Sequence, residues 1–266
     1  MSDLAKWSDL RTRLLSGLAI LALGLTAVCL GGLPLALLVM AAAGLSLWEL
    51  ARLTAGPAVP ATVAMLIGLL AAGAIAVIWH EHGPYWLATL ILPSLVGQIG
   101  PRRDRILFAI YAFMIMLACY AFVAFREGYG LAFALWLVLV VIASDVMGYF
   151  GGRTLGGPKF WPALSPKKTW SGTIAGWIGA ALVGLGFMVC QAAPLWLVGF
   201  SVLTAFAAQM GDILESALKR RAGVKDSSQL LPGHGGLLDR IDALIGAAVF
   251  VLVWGMLGLP VPRFGG

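Results

Sequence analysis

Charge is scarce in this sequence. Only 11% of its 266 residues are Asp, Glu, Lys or Arg, 61% are hydrophobic, and the mean hydropathy is +0.95. A soluble core of this length cannot hide that much apolar surface, so a soluble globular domain is excluded and a polytopic membrane protein is expected. Cysteine is equally sparse. Cys29, Cys119 and Cys190 each lie inside an apolar run, far from one another and beside no His. That spacing supports neither a disulfide framework nor a zinc site, and leaves small buried hydrophobes as the reading. Also missing are a GxSxG elbow, an HExxH helix, a CxxC pair and a Walker A loop, so hydrolase, redox and P-loop chemistry have no anchor.

What the chain does have is apolar length. The runs are long and unalternating, which favours helices, each needing about 20 apolar residues, over barrel strands. Nine spans are expected in an all-α transmembrane bundle: Leu14 to Leu30, Leu33 to Leu50, Ala58 to Trp79, Tyr85 to Ile99, Ile106 to Phe125, Leu131 to Val146, Thr173 to Ala193, Leu195 to Gly211, and Ile241 to Leu259. The first run follows Lys6, Arg11 and Arg13 as a signal peptide would. No small-x-small cleavage site precedes a polar mature domain, so it is read as a retained span. Residues 1–266 are accordingly read as a single integral membrane domain.

With nine spans, Lys and Arg divide sixteen to two between the two sides, Arg126 and Arg263 standing alone on the poorer one. The positive-inside rule then puts the N-terminus in the cytoplasm, together with nearly all the polar chemistry. His80, Glu81 and His82 fall on the opposite face and are read as solvated and uninvolved.

Three polar groups stand beside hydrocarbon. Asp212, Glu215 and Lys219 share a helix face if the eighth helix continues through Lys219, and Asp239 and Asp242 repeat a three-residue spacing where the ninth begins. Carboxylates held close repel unless a cation or proton lies between them, and oxygen ligands of this kind suit Mg²⁺. The competing reading is that the two Asp residues complement a helix N-terminus while Glu215 pairs with Lys219. Asp145 lies at the edge of a span, where an ionisable group suggests function, with pairing to Arg153 as the alternative. Between them, Gly151, Gly152, Gly156 and Gly157 with Lys167 and Lys168 could offer backbone N–H groups and cations to a polyphosphate.

The stretch SALKRRAGVKDSSQLLPGHGGLLDRID, Ser216 to Asp242, resembles the signature of the phosphatidate cytidylyltransferase (CDP-diacylglycerol synthase) family, and SPKKTWSG, Ser165 to Gly172, is similar to a second stretch of that family. The resemblance implies an enzyme that joins CTP to phosphatidate with Mg²⁺, giving CDP-diacylglycerol and pyrophosphate. It also implies that segments within residues 144–242 form the site, on the cytoplasmic side of a cell membrane, here a bacterial inner membrane. From charge and spacing, Asp212, Asp239 and Asp242 are assigned to the metal or its surroundings, with Glu215 a weaker candidate. Lys219 joins Asp212, Asp239 and Asp242 as a catalytic candidate. Lys167, Lys168, Arg220 and Lys219 are expected to face phosphates, Asp145 to orient a cation or ligand group, and His234, Gly235 and Gly236 to lie against substrate. The expected partners are the two substrates and the bilayer, with no nucleic acid; a homodimer is compatible with the resemblance. The alternatives are a CTP-dependent polyprenol kinase and a membrane transporter, the latter expected to place its ionisable groups near mid-span.

Overall fold

Helix dominates because the apolar runs offer no alternation and, in hydrocarbon, a helix satisfies every backbone hydrogen bond within itself. The computed structural model describes residues 3–55, 60–80, 85–99, 102–231 and 233–264, with side chains from residue 16 onward. Lys6, Arg11 and Arg13 as side chains, and Glu81, His82 and Pro232 altogether, lie outside the described residues.

Among the described residues nine helices follow in chain order: α1 (Asp3–Leu30), α2 (Gly32–Leu53), α3 (Ala61–His80), α4 (Trp86–Val96), α5 (Arg105–Gly128), α6 (Gly130–Leu155), α7 (Trp170–Cys190), α8 (Trp196–Ala222) and α9 (Leu238–Met256). Six of them, α2, α3, α5, α6, α7 and α8, are long and apolar enough to cross a membrane, while α4 has only 11 residues. The chain is a multi-pass membrane protein. Large exposed apolar side chains such as Leu66, Leu69, Leu182 and Leu203 are the lipid-facing surface expected of such helices.

At their C-terminal ends α6 and α8 overrun their hydropathy limits well into polar sequence. α6 extends past Val146 to Leu155, and α8 continues through Lys219 to Ala222. Gly151 and Gly152 are therefore helical and do not form the open backbone cradle the sequence suggests. Gly148 and Gly151 instead let α6 approach α7 closely, since a Cβ at Gly151 would fall 2.4 Å from that of Ala175 and one at Gly148 would fall 3.2 Å from the Gly172 carbonyl. Small residues at such crossings are the usual device of membrane helices. Between α6 and α7 the chain makes a hairpin of β1 (Lys159–Trp161) antiparallel to β2 (Ser165–Thr169), an element absent from the all-helical expectation.

The chain divides into two compact units. Unit 1 comprises Met1–Cys119 and Arg221–Ile241; unit 2 comprises Tyr120–Arg220 and Asp242–Gly266. In unit 1, α2 and α3 touch at Gly44 and Gly68, where an added Cβ on Gly68 would come 2.6 Å from the Gly44 carbonyl oxygen. Burial lowers the Arg102 guanidinium to about 10, still charged at neutral pH, and it lies over the Phe108 ring. Unit 2 is centred on aromatic rings. Trp136 stacks on Phe200 with centroids 5.6 Å apart and donates its indole N–H to Ser201 Oγ at 2.9 Å.

Candidate active site

In unit 2 the approach of α8 to α9 depends on two glycines. A Cβ at Gly211 would meet the Asp242 carbonyl at 2.3 Å, and one at Gly246 the Ala207 carbonyl at 2.3 Å. With backbones this close, one turn of α8 brings Asp212 and Glu215 to Asp242, and the three carboxylates offer oxygens all within 4.8 Å of one another. Glu215 is fully buried and Asp242 is 8% exposed.

Two ammonium groups flank them. Lys219 Nζ lies 2.5 Å from Glu215, one helical turn away, and Lys168 Nζ lies 2.6 Å from Asp212 and donates to the Gln209 carbonyl at 3.2 Å. The Glu215–Lys219 pair is the one the simpler reading foresaw, and it stands inside the carboxylate group instead of replacing it. Asp145, on α6, is within electrostatic reach of Asp212, Asp242 and Lys168. Arg153 bonds Tyr149 on its own helix.

The hairpin explains how Lys168 arrives. Thr169 ends β2 and caps α7, its Oγ1 accepting from the Gly172 N–H at 3.2 Å, which fixes the strand where the helix begins. Successive strand residues point to opposite faces. Lys168 thus turns to Asp212 while Lys167 is exposed and takes no part in the group. Arg220 donates its Nε to the Leu164 carbonyl at 2.8 Å, holding the end of α8 to the hairpin turn. Gln209 reinforces the floor by donating to Ser144 Oγ and the Thr173 carbonyl, both at 3.3 Å, and accepting from Trp177.

The rest of the signature lies in unit 1 and is organised by a residue that the sequence reading passed over. Glu49, fully buried near the end of α2, accepts four hydrogen bonds. Its Oε1 accepts from Ser228 Oγ at 2.5 Å and the Leu237 N–H at 2.9 Å; its Oε2 accepts from Ser227 Oγ at 3.1 Å and the Leu238 N–H at 2.7 Å. Asp239 closes the loop from the other side, its Oδ2 accepting from the Ser227 N–H at 3.0 Å and the Gly236 N–H at 2.8 Å. Both carboxylates face backbone N–H groups at the start of α9, where the helix dipole favours negative charge.

No side chain fits at residue 236. A Cβ there would be 1.8 Å from Ser227 Oγ and 2.6 Å from Glu49 Oε1, and Gly235 holds a left-handed φ of 81°. His234 bonds Ser16 Oγ through Nδ1 at 2.8 Å, and its carbonyl accepts from Arg240 at 2.8 Å. Asp239 and Asp242, though three residues apart on one helix, thus have different neighbours. Asp239 holds the loop of unit 1, and among the described residues the three-carboxylate group does not include it.

A family description, the cytidylyltransferase family, matches residues 11–257. The chain belongs to the cytidylyltransferase family. Among curated relatives it is similar to the phosphatidate cytidylyltransferase of Staphylococcus aureus (strain COL), 34% identical over 194 residues covering 67% of this chain and 75% of the relative. The phosphatidate cytidylyltransferase of Brucella abortus biovar 1 (strain 9-941) is 46% identical over 131 residues, 48% of each chain, so that match spans about half the relative's length. Membership in the cytidylyltransferase family is thus carried by most of the chain, including the N-terminal half that supplies Glu49.

Proposed function

We propose that this chain is a phosphatidate cytidylyltransferase, transferring CMP from CTP to phosphatidate to give CDP-diacylglycerol and pyrophosphate. The observation that carries the reading is the group of buried Glu215 and Asp242 with half-buried Asp212, and Lys168 and Lys219 against it, in a membrane protein of the cytidylyltransferase family. The donors are all oxygen, as a hard divalent cation requires. Four carboxylates, counting Asp145, against two ammonium groups leave a formal charge of minus two when all are ionised, which one divalent cation balances.

In the proposed reaction an oxygen of the lipid phosphate forms a bond to the α-phosphorus of CTP, and the bond from that phosphorus to the bridging α–β oxygen breaks, releasing pyrophosphate. The nucleophile is already anionic near neutral pH, so the protein needs little general-base help. Its work is to hold two anions together, by positioning and electrostatics. Asp212, Glu215 and Asp242 would hold Mg²⁺, which when bound supplies charge neutralisation at the phosphate oxygens. Lys168 and Lys219 supply fixed positive charge and keep the carboxylates from repelling one another apart. Asp239 and Glu49 maintain the signature loop. The finer topology belongs to the same reading: about nine spans, a cytoplasmic N-terminus and a cytoplasm-facing site in the bacterial cell membrane, supported by the sixteen-to-two division of Lys and Arg.

The test is the fate of the label. Purified protein with phosphatidate and α-labelled CTP is expected to move label into the lipid fraction and release unlabelled pyrophosphate. Transfer of γ-label to a polyprenol, with none of the α-label reaching lipid, would replace this reading with a lipid kinase.

A further inference from the structure

Unit 2 carries a basic surface that the carboxylate group leaves unused. Between Asp145 and Asp212 the sequence contains no Asp or Glu, yet it holds Arg153, Lys159, Lys167 and Lys168. Of these, Lys168 is taken up by Asp212. Arg153, Lys159 and Lys167 are exposed, and none has a carboxylate partner among the described residues.

Local structure puts these three cations at one surface of the membrane. α6 has 26 residues, which at 1.5 Å per residue makes it about 39 Å long against a hydrocarbon core of about 30 Å. Its last turns therefore emerge among the headgroups, and the hairpin that joins it to α7 emerges with them. Within the hairpin Lys159 pairs with Thr169 and Trp161 with Ser165. Paired side chains lie on one face of a sheet, and residues two apart on a strand share that face. Lys159, Trp161 and Lys167 thus point the same way, while Lys168 turns to Asp212. Aromatic rings stand among the cations. Tyr149 and Phe150 are each 57% exposed and Trp161 45%, and Arg153 bonds the Tyr149 hydroxyl and lies 5.8 Å from the centroid of its ring. Rings left in water would gain nothing from such exposure, whereas at the boundary of hydrocarbon and headgroups each ring meets apolar chains and each cation a phosphate.

We propose that the end of α6 and the β1–β2 hairpin bind the phosphodiester headgroups of anionic bilayer lipids, with Arg153, Lys159 and Lys167 supplying the charge and Tyr149, Phe150 and Trp161 resting at the level of the glycerol. The cations are spread along an exposed face, so each meets a headgroup of its own, as a charged plane offers and a single compact polyanion does not. The ligand is the surrounding bilayer and not a reactant, so the surface is independent of the transferase reading. Its consequence for the site is mechanical: headgroups hold one face of the strand whose other face delivers Lys168 to Asp212.

The experiment is tryptophan quenching in phosphatidylcholine vesicles that carry the full-length protein and a minor fraction of brominated lipid, either phosphatidylglycerol or phosphatidylcholine with bromine on the same acyl carbons. Quenching in wild type minus that in Trp161→Phe isolates residue 161. Phosphatidylglycerol is expected to be preferred at Trp161 about fivefold, the equivalent of one cation meeting one headgroup, and the preference should shrink with added salt. Replacing Arg153, Lys159 and Lys167 together by Gln should bring the two lipids level, whereas Lys159→Arg with Lys167→Arg should keep the preference. Melting curves matching wild type exclude misfolding as the cause. Equal quenching by the two lipids in wild type, or a preference that neither salt nor the triple variant reduces, overturns the proposal. So does a preference abolished by inorganic phosphate at constant ionic strength, which would make this a site for a free anion. Binding of a short RNA through the same three cations, with no lipid preference, overturns it as well. The comparison of lipids and salt in wild type decides the matter without any charge variant.

Discussion

Replacing Glu49 by Gln is the sharpest test of how the signature loop is held. The side chain keeps its shape, but one carboxylate oxygen becomes an NH₂ donor. The Leu237 N–H points at Oε1 and the Leu238 N–H at Oε2, so whichever way the amide is turned, one of these backbone donors faces another donor. The serine hydroxyls can rotate away, whereas the backbone cannot. Leaving a buried amide without its charged acceptor costs about 2–3 kcal/mol, which lowers the local opening free energy of the loop and speeds exchange at residues 227 and 236–238 by about 30- to 150-fold. Hydrogen exchange followed by peptide mass analysis reads this directly, because local openings appear segment by segment. Peptides from α6 and α7, in the other unit, serve as the internal reference. Protection of the loop within about threefold of wild type, with the reference unchanged, would refute the claim that Glu49 holds it.

Three further outcomes are expected. Gly236→Ala should loosen the same loop by about 1–3 kcal/mol, because the new methyl would overlap Ser227 Oγ and Glu49 Oε1; Gly186→Ala on α7, with nothing within 4 Å of the added carbon, should leave the melting temperature level or slightly higher. Lys219→Met removes the ammonium 2.5 Å from fully buried Glu215 and should cost about 3–5 kcal/mol, measured by thermal unfolding in detergent, with part of the loss recovered by Mg²⁺. Trp136→Phe keeps the ring stack on Phe200 but leaves Ser201 without the indole donor, and should lower stability by about 1–2 kcal/mol in the same assay.

Hydropathy located the helices because each span is a long apolar run, and it misplaced their ends for a physical reason. Past Val146 the sequence turns to Gly148, Gly151 and Gly152, which lower hydropathy yet are the residues that pack α6 on α7. The pairing of Glu215 with Lys219 and its nearness to Asp212 follow from helical spacing alone. Distance to Asp242 does not, since it depends on the backbone contact at Gly211 and Gly246. Spacing also could not separate Asp239 from Asp242, because one turn of the same helix carries them into different surroundings. Lys167 and Lys168 look alike as a basic pair until a strand points them apart. Glu49 was legible in principle: a lone acid at the end of an apolar run is costly there and suggests a role. Its loop partners lie 178 or more residues away, so no local spacing points to them.

Nucleotidyl transfer at the carboxylate group of unit 2 is tested by the Mg²⁺ dependence of α-label transfer from CTP to phosphatidate in wild type and in Asp242→Asn. Transfer is expected to saturate with Mg²⁺ in wild type and to be lost, or to need far more Mg²⁺, in a variant whose loop exchange matches wild type. Full transfer with Mg²⁺ chelated, or an Asp242→Asn protein as active as wild type at every Mg²⁺ concentration, would contradict it.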